Sequence, residues 1–213
     1  MSNSNGEFPY KLYLVMSQLD CGDRDLVQVA EQAILGGVDI IQLREKNTDY
    51  EDFLQKAQNL HELTQKHDIP LIINDNLNVA QAISADGIHV GLSDTSPTEI
   101  HQLWPQRPKM VGYSIEYWDQ MQNPDAQLAD YLGISPIFAT PTKTDTVTEW
   151  GLEGIAKIRQ ATSKALVAIG GINLTNAQNI VRAGADSIAV VSAICGADDP
   201  QKAAFQLKNE ILK

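Results

Sequence analysis

Short apolar runs punctuate this chain at regular intervals, and between them apolar residues recur three and four positions apart. The runs predict strands at Lys11–Met16, Val38–Leu43, Leu71–Asn74, Gly87–Gly91, Lys109–Gly112, Tyr131–Ile134 (continuing through Ile137 and Phe138), Ala165–Ile169 and Ser187–Val191. The intervening stretches predict helices. One is capped by Asp25 and ends at Gly36-Gly37. A long one is capped by Thr48 or Asp49 and carries Phe53, Leu54, Ala57, Leu60 and Leu63 on its apolar face. Others run from Asn78 to Ser84, from Ser96-Pro97 to before Pro105, from Asp119 to Leu128 with an interruption at Pro124, from Leu152 to Thr162, and from Pro200 to the C-terminus. Thr175-Asn-Ala-Gln178 has the spacing of a capping box ahead of Ile180 and Val181.

Eight strand-then-helix units in strict alternation imply a parallel sheet buried on both faces. Eight of them imply closure into a single α/β domain, a (β/α)8 TIM barrel. Residues 10–213 are expected to form the barrel and residues 1–9 a flexible N-terminal arm. Its repeat is read as one of architecture and not of sequence.

Composition narrows the partners. The chain has 213 residues, 43% of them hydrophobic, a net charge of −11 and a pI near 4.7. Such an acidic surface argues against nucleic acid and anionic membranes, while a few local cations and a divalent metal can still dominate one cleft. Cys21 and Cys195 match no metal or redox spacing and read as reduced structural thiols. Met1–Glu7 is polar without a cationic, apolar leader, so a cytoplasmic location is expected; no run approaches membrane-spanning length.

Polar residues gather where the strands end. Arg44 and Lys46 follow the second strand, Asn74 and Asp75 close the third, and Asp94 follows the fourth. Ser114 ends the fifth, Thr140 to Lys143 follow the sixth, Gly171 the seventh and Ser192 the eighth. Singly, each reads as an ordinary turn or cap residue. Together they lie on the carboxyl-end rim, where such barrels hold their active sites. Asp75 and Asp94 are short oxygen ligands suited to Mg²⁺ shared with substrate phosphates. Arg44, Lys46 and Lys143 suit a diphosphate. Gly170-Gly171 and Val191-Ser192 suggest a second anion site built from backbone amides, although the glycines also suit a plain tight turn. His89, inside the fourth strand, reads as an interior hydrogen-bonded residue, and Trp104, Trp118 and Trp150 as packing residues.

Gln42-Leu-Arg-Glu-Lys46, Ile73-Asn-Asp75, Gly87-Ile-His-Val-Gly91 with Asp94, Ser135-Pro-Ile-Phe-Ala-Thr-Pro-Thr-Lys143, Ala168-Ile-Gly-Gly-Ile172 and Val191-Ser192 resemble the motifs of the thiamine-phosphate synthase family, in order, across about Tyr10 to Ile211. The resemblance implies Mg²⁺-dependent coupling of a hydroxymethylpyrimidine diphosphate with a thiazole phosphate, releasing pyrophosphate through a dissociative, cation-like step. It implies that Gln42, Leu43, Arg44, Glu45, Lys46, Asn74, Ser114 and Lys143 hold the pyrimidine diphosphate. Of these, Lys143, Ser114 and Arg44 would carry the catalysis. It implies further that Asp75 and Asp94 bind the metal and that Thr140, Pro141, Thr142, Gly171, Val191 and Ser192 hold the thiazole phosphate. Small-molecule substrates are the expected partners, and the sequence leaves room for a homo-oligomer.

The chain departs from the family pattern at Leu92-Ser93 before Asp94, at Ser135 where glycine is usual, and at Glu116 where relatives often carry histidine. That histidine is the proposed base of a thiazole tautomerase sharing this barrel, so its absence favours the synthase. A non-catalytic phosphometabolite-binding barrel is the third reading. Replacing Lys143 with Ala is expected to slow pyrophosphate release at saturating substrate by about 10²–10³-fold, the usual cost of losing one preorganised charge-stabilising contact. Unchanged turnover would remove Lys143 from that role.

Overall fold

A computed structural model describes residues 8–105, 110–140 and 148–213. In chain order the elements are β1 (Leu12–Met16), α1 (Gln18–Cys21), α2 (Leu26–Leu35), β2 (Ile40–Leu43), α3 (Tyr50–Lys66), β3 (Leu71–Asn74), α4 (Leu77–Ala82), β4 (Gly87–Val90) and α5 (Pro97–Leu103). There follow β5 (Met110–Ile115), a 3-10 turn at Trp118–Gln122, α6 (Pro124–Leu128), β6 (Tyr131–Ile134), α7 (Gly151–Ala161), β7 (Ala165–Ile169), α8 (Ala177–Arg182), β8 (Ser187–Val190), α9 (Ser192–Cys195) and α10 (Pro200–Ile211). The strands close in sequence order, each parallel to the next, with β8 paired to β1. The expected (β/α)8 barrel is the observed fold.

Side-chain parity divides the core into two layers. Leu12, Leu14, Ile41, Leu43, Leu71, Ile73, Ile88, Val111, Leu132 and Ile188 point out and pack beneath the helices. Tyr13, Val15, Ile40, Ile72, Tyr131, Val167 and Ala189 point in and fill the lumen. Phe8, assigned from the sequence to the flexible arm, packs its ring 5.4 Å from that of Tyr131 and 5.1 Å from that of Tyr10. The segment entering β1 therefore plugs the amino-terminal end of the lumen.

One residue type does repeat. An aspartate immediately precedes each even-numbered strand, and each bonds twice to the odd strand before it. Asp86 takes the Leu71 N–H at 3.0 Å and gives its own N–H to the Leu71 carbonyl at 3.1 Å. Asp130 does the same to Val111 (2.8 and 2.8 Å), and Asp186 to Leu166 (2.8 and 2.9 Å). Asp39 takes the N–H groups of Lys11 and Leu12 at 2.8 and 2.9 Å and returns its own to Leu12 at 2.9 Å. These reciprocal clamps satisfy buried amides at strand starts, where no ladder partner exists, and fix the register of alternate pairs.

Three helix starts follow the expected caps: Asp25, Asp49 and Ser96 each accept an amide of the first turn, with the full capping box at Ser96 and Glu99. Asn76 caps α4, which leaves Asp75 outside the helix with a left-handed φ of 60°. The capping box expected at Thr175 does not form. The Thr175 hydroxyl and N–H both bond the Asn173 carboxamide oxygen, at 2.7 and 2.9 Å, and α8 begins at Ala177 without a side-chain cap. α1 and α9 were not predicted; at four residues each they are too short to show a period.

Asp186→Ala leaves the buried Leu166 N–H without its acceptor and is expected to lower unfolding stability by about 1–3 kcal/mol. Asp186→Asn, whose amide oxygen can still accept, should lose less. Urea midpoints of the two variants check the order, and equal losses would contradict the clamp.

Candidate active site

The carboxyl ends of the strands open into a cavity of about 930 Å³. Its walls include Gln42, Arg44, Lys46, Asn74, Asp75, Asp94, Ser114, Thr140, Gly171, Val191 and Ser192, so residues separated by as many as 150 positions do converge. Leu43 and Glu45 do not line it. Parity is the reason: Gln42 and Arg44 take the inward positions of β2 and its extension, which sends Leu43 into the outer core and the Glu45 carboxylate toward α3. Pro141, Thr142 and Lys143 lie outside the described residues, so the anion-binding role expected of Thr142 and Lys143 keeps its footing in the sequence alone.

A chain of polar side chains crosses the cavity floor. The Gln42 amide donates to the Tyr13 hydroxyl (3.0 Å), which meets the Tyr131 hydroxyl at 2.9 Å. Tyr131 meets His89 Nδ1 at 3.0 Å, and His89 Nε2 meets the Ser114 hydroxyl at 2.9 Å. The Gln42 nitrogen can only donate. The polarity that leaves no buried hydroxyl proton without an acceptor therefore runs from Gln42 toward Ser114, with the proton on His89 Nε2. In that polarity Ser114 receives a bond and keeps its own proton to offer into the cavity. Burial raises both tyrosine pKa values, most strongly that of Tyr131, so both stay neutral.

The sequence reading of His89 as an interior hydrogen-bonded residue holds. It missed that His89, Tyr13 and Tyr131 share the cavity with Ser114. Their inward parity, matching that of Gln42 and Ser114, is the signal that could have found them. Room for this chain comes from glycine. A Cβ on Gly112 would sit 2.2 Å from the Tyr131 ring and 2.4 Å from His89 Nδ1.

On the rim between β2 and β4, Asp75 and Asp94 stand side by side. The Asp75 N–H is held by the His89 carbonyl at 2.9 Å, and Asp94 is fixed by the Gly91 N–H at 2.8 Å. The Lys46 ammonium meets Asp75 at 2.6 Å. Burial, and then the neighbouring Asp94, push the Asp75 carboxyl above the ordinary carboxylate range despite the opposing pull of Lys46. Two crowded carboxylates, only one of them paired with a partly exposed ammonium, have capacity left for a further cation.

The opposite wall has different chemistry. Gly171 has φ 64°, and a Cβ there would fall 2.8 Å from that of Phe138 and 2.9 Å from the Ala139 carbonyl, so only glycine lets the β7 loop lie against the β6 loop that carries Thr140. Asn176 holds this loop from below, donating to the Gly171 carbonyl at 2.9 Å and accepting the Asn173 N–H at 2.9 Å. Val191 and Ser192 open α9, whose first amides carry no side-chain cap. Uncapped amides of this kind suit a phosphate.

The fold and site define a (β/α)8 barrel with a polar cavity at the carboxyl ends of its strands, and comparison with known proteins places it further. The family model described as thiamine monophosphate synthase matches residues 12–194. The thiamine-phosphate synthase of Albidiferax ferrireducens is 48% identical over 94% of this chain and 91% of its own length, and that of Vibrio campbellii is 43% identical over 93% and 96%. The solved structure of thiamine phosphate pyrophosphorylase from Pyrococcus furiosus superposes with a TM-score of 0.85 at 31% identity, covering 95% of this chain and 96% of that one. The chain belongs to the thiamine monophosphate synthase family.

Gly112→Ala overpacks the cavity floor and is expected to cost about 1–3 kcal/mol of stability while displacing Tyr131 or His89. Chemical denaturation measures the cost, and wild-type stability would contradict the packing described.

Proposed function

We propose that this protein couples 4-amino-2-methyl-5-(diphosphomethyl)pyrimidine with thiazole phosphate to give thiamine phosphate and pyrophosphate. The carrying observation is one cavity with two walls of different chemistry. Arg44, Lys46 and the Asp75–Asp94 pair form one, and Gly171, Val191 and Ser192 the other. At about 930 Å³ it has room for two small phosphorylated molecules side by side.

In this reading the bond from the pyrimidine methylene carbon to the diphosphate oxygen breaks, and its electron pair leaves with the diphosphate. The thiazole nitrogen then supplies the pair for the new carbon–nitrogen bond. No protein nucleophile is needed, in keeping with a cavity lined by binding groups. Arg44 and Lys46 hold the departing diphosphate, and the Ser114 hydroxyl, held from behind by His89, points a donor at it. Asn74 and Gln42 flank the pyrimidine side. Thr140, Gly171, Val191 and Ser192 keep the thiazole phosphate in place so that its nitrogen faces the carbon being released.

Asp75 and Asp94 would hold Mg²⁺. Their crowding, and the upward pKa shift of Asp75 that burial and Asp94 produce, fit a hard divalent cation. Among the described residues no group of three or more His, Cys, Asp or Glu side chains forms, so substrate oxygens and water would complete its shell. The ion would supply charge neutralisation on the diphosphate.

Incubating the protein with both substrates and Mg²⁺ should yield thiamine phosphate and pyrophosphate in equal amounts, and EDTA should abolish both. Absence of product above an enzyme-free control overturns the reading.

A further inference from the structure

Glu45 lies between the two cations of the β2 loop, yet its side chain is only 6% exposed and its carboxylate faces away from the cavity. Oε1 accepts the Gln18 N–H at 2.7 Å. Oε2 accepts the Thr48 hydroxyl at 3.1 Å and the Lys56 ammonium at 3.1 Å. One carboxylate thus ties three segments together: the turn after β1, the loop after β2, and the second turn of α3. Lys56 is anchored in its own helix by Asp52 at 2.8 Å, four residues earlier. Burial pulls the Lys56 ammonium down, but Asp52 and Glu45 more than offset this, and it stays charged. A carboxylate this buried is tolerated because every oxygen is engaged.

The loop so held is the one that presents Arg44 and Lys46. The Arg44 N–H bonds the Met16 carbonyl at 2.9 Å, at the end of the same β1 turn that Glu45 grips through Gln18. Asn47, in the left-handed region at φ 59°, reverses the chain between Lys46 and Thr48. Nothing in the β2 ladder extends past Leu43, so the backbone beyond it takes its course from these contacts.

We propose that Glu45 and Lys56 are positioning residues: as a buried pair behind the cavity they set the β2 loop so that Arg44 and Lys46 converge on the diphosphate. Lys56, outside the cavity on a helix, is then a determinant of diphosphate affinity. The identity of the anion rests on the function proposed above; the geometry of the pair does not.

The test compares the full chain with Lys56→Met, Glu45→Gln and the conservative Lys56→Arg. Calorimetry with inorganic pyrophosphate and Mg²⁺ needs no turnover and reads the diphosphate wall directly. Lys56→Met should weaken pyrophosphate binding on the order of tenfold, the usual effect of removing an outer partner that orients first-contact ligands. Lys56→Arg should recover most of it. In steady-state kinetics the same variant should raise KM for the pyrimidine diphosphate and leave KM for the thiazole phosphate unchanged, a split that general loosening of the fold would not give. Equal pyrophosphate affinity in wild type and Lys56→Met overturns the inference, as does a parallel rise in both KM values. A wild-type protein that binds pyrophosphate but forms no thiamine phosphate overturns the function and leaves the pair to be judged by calorimetry. Glu45→Gln keeps the volume and one acceptor, so it tests the charge even if larger changes at that position impair folding.

Discussion

In a closed parallel barrel every strand residue is committed to one of two places, the lumen or the layer beneath the helices, and a slip of one position exchanges them. The candidate site depends on that commitment more than on any single contact. Gln42, Asn74, His89 and Ser114 reach the cavity because each shares parity with lumen residues such as Ile40, Ile72 and Tyr131. Leu43, Ile73, Ile88 and Ile115, one step away, are spent on the outer core. The reciprocal clamps of Asp39, Asp86, Asp130 and Asp186 pin alternate strand pairs at the opposite end of the barrel. Register is therefore fixed from the amino-terminal ends, and the carboxyl ends are left to carry loops of varied chemistry.

Much of this was legible in the sequence because parallel strands are buried on both faces and show as unbroken apolar runs. Leu71–Asn74 and Ala165–Ile169 are predicted to the residue, and Tyr131–Ile134 matches the core of a longer predicted run. The rim could be listed because polar residues at strand ends stand out against such runs. Parity within a motif was not legible once Gln42 to Lys46 was taken as one block; the alternation that places Gln42 inward also places Glu45 outward. The floor chain escaped notice for the converse reason. Tyr13 and Tyr131 sit within apolar runs, where a tyrosine reads as core, and only the closed barrel brings their hydroxyls to 2.9 Å across 118 residues. The two four-residue helices and the failed capping box at Thr175 are local competitions among hydrogen bonds, which sequence patterns describe poorly.

Charge is organised locally against an acidic background. The chain carries −11, yet the rim between β2 and β4 sets Arg44 and Lys46 against Asp75 and Asp94, two positive and two negative groups. Among the described residues Asp20 and Glu116 also line the cavity, so its carboxylates outnumber its cations, and in the proposed reaction a divalent cation would supply most of its net attraction for a diphosphate. The short Lys46–Asp75 contact belongs to the same balance: an ammonium engaged with Asp75 is less available to an anion, and a cation held by the two carboxylates would release it.

The two walls also differ in how their fields can act. On one, in the proposed reaction, charged side chains on a loop held by Glu45 would face a group that gains charge as its bond to carbon breaks, and preorganised full charges would stabilise that change. On the other, backbone amides near Gly171 and Ser192 would face the thiazole phosphate, whose charge would not change in the proposed reaction. Neutral dipoles suffice there, since the task is to fix a position and not to follow a developing charge. A side-chain cluster on the first wall and backbone on the second would put the stronger field where the transition state of the proposed reaction differs from the ground state.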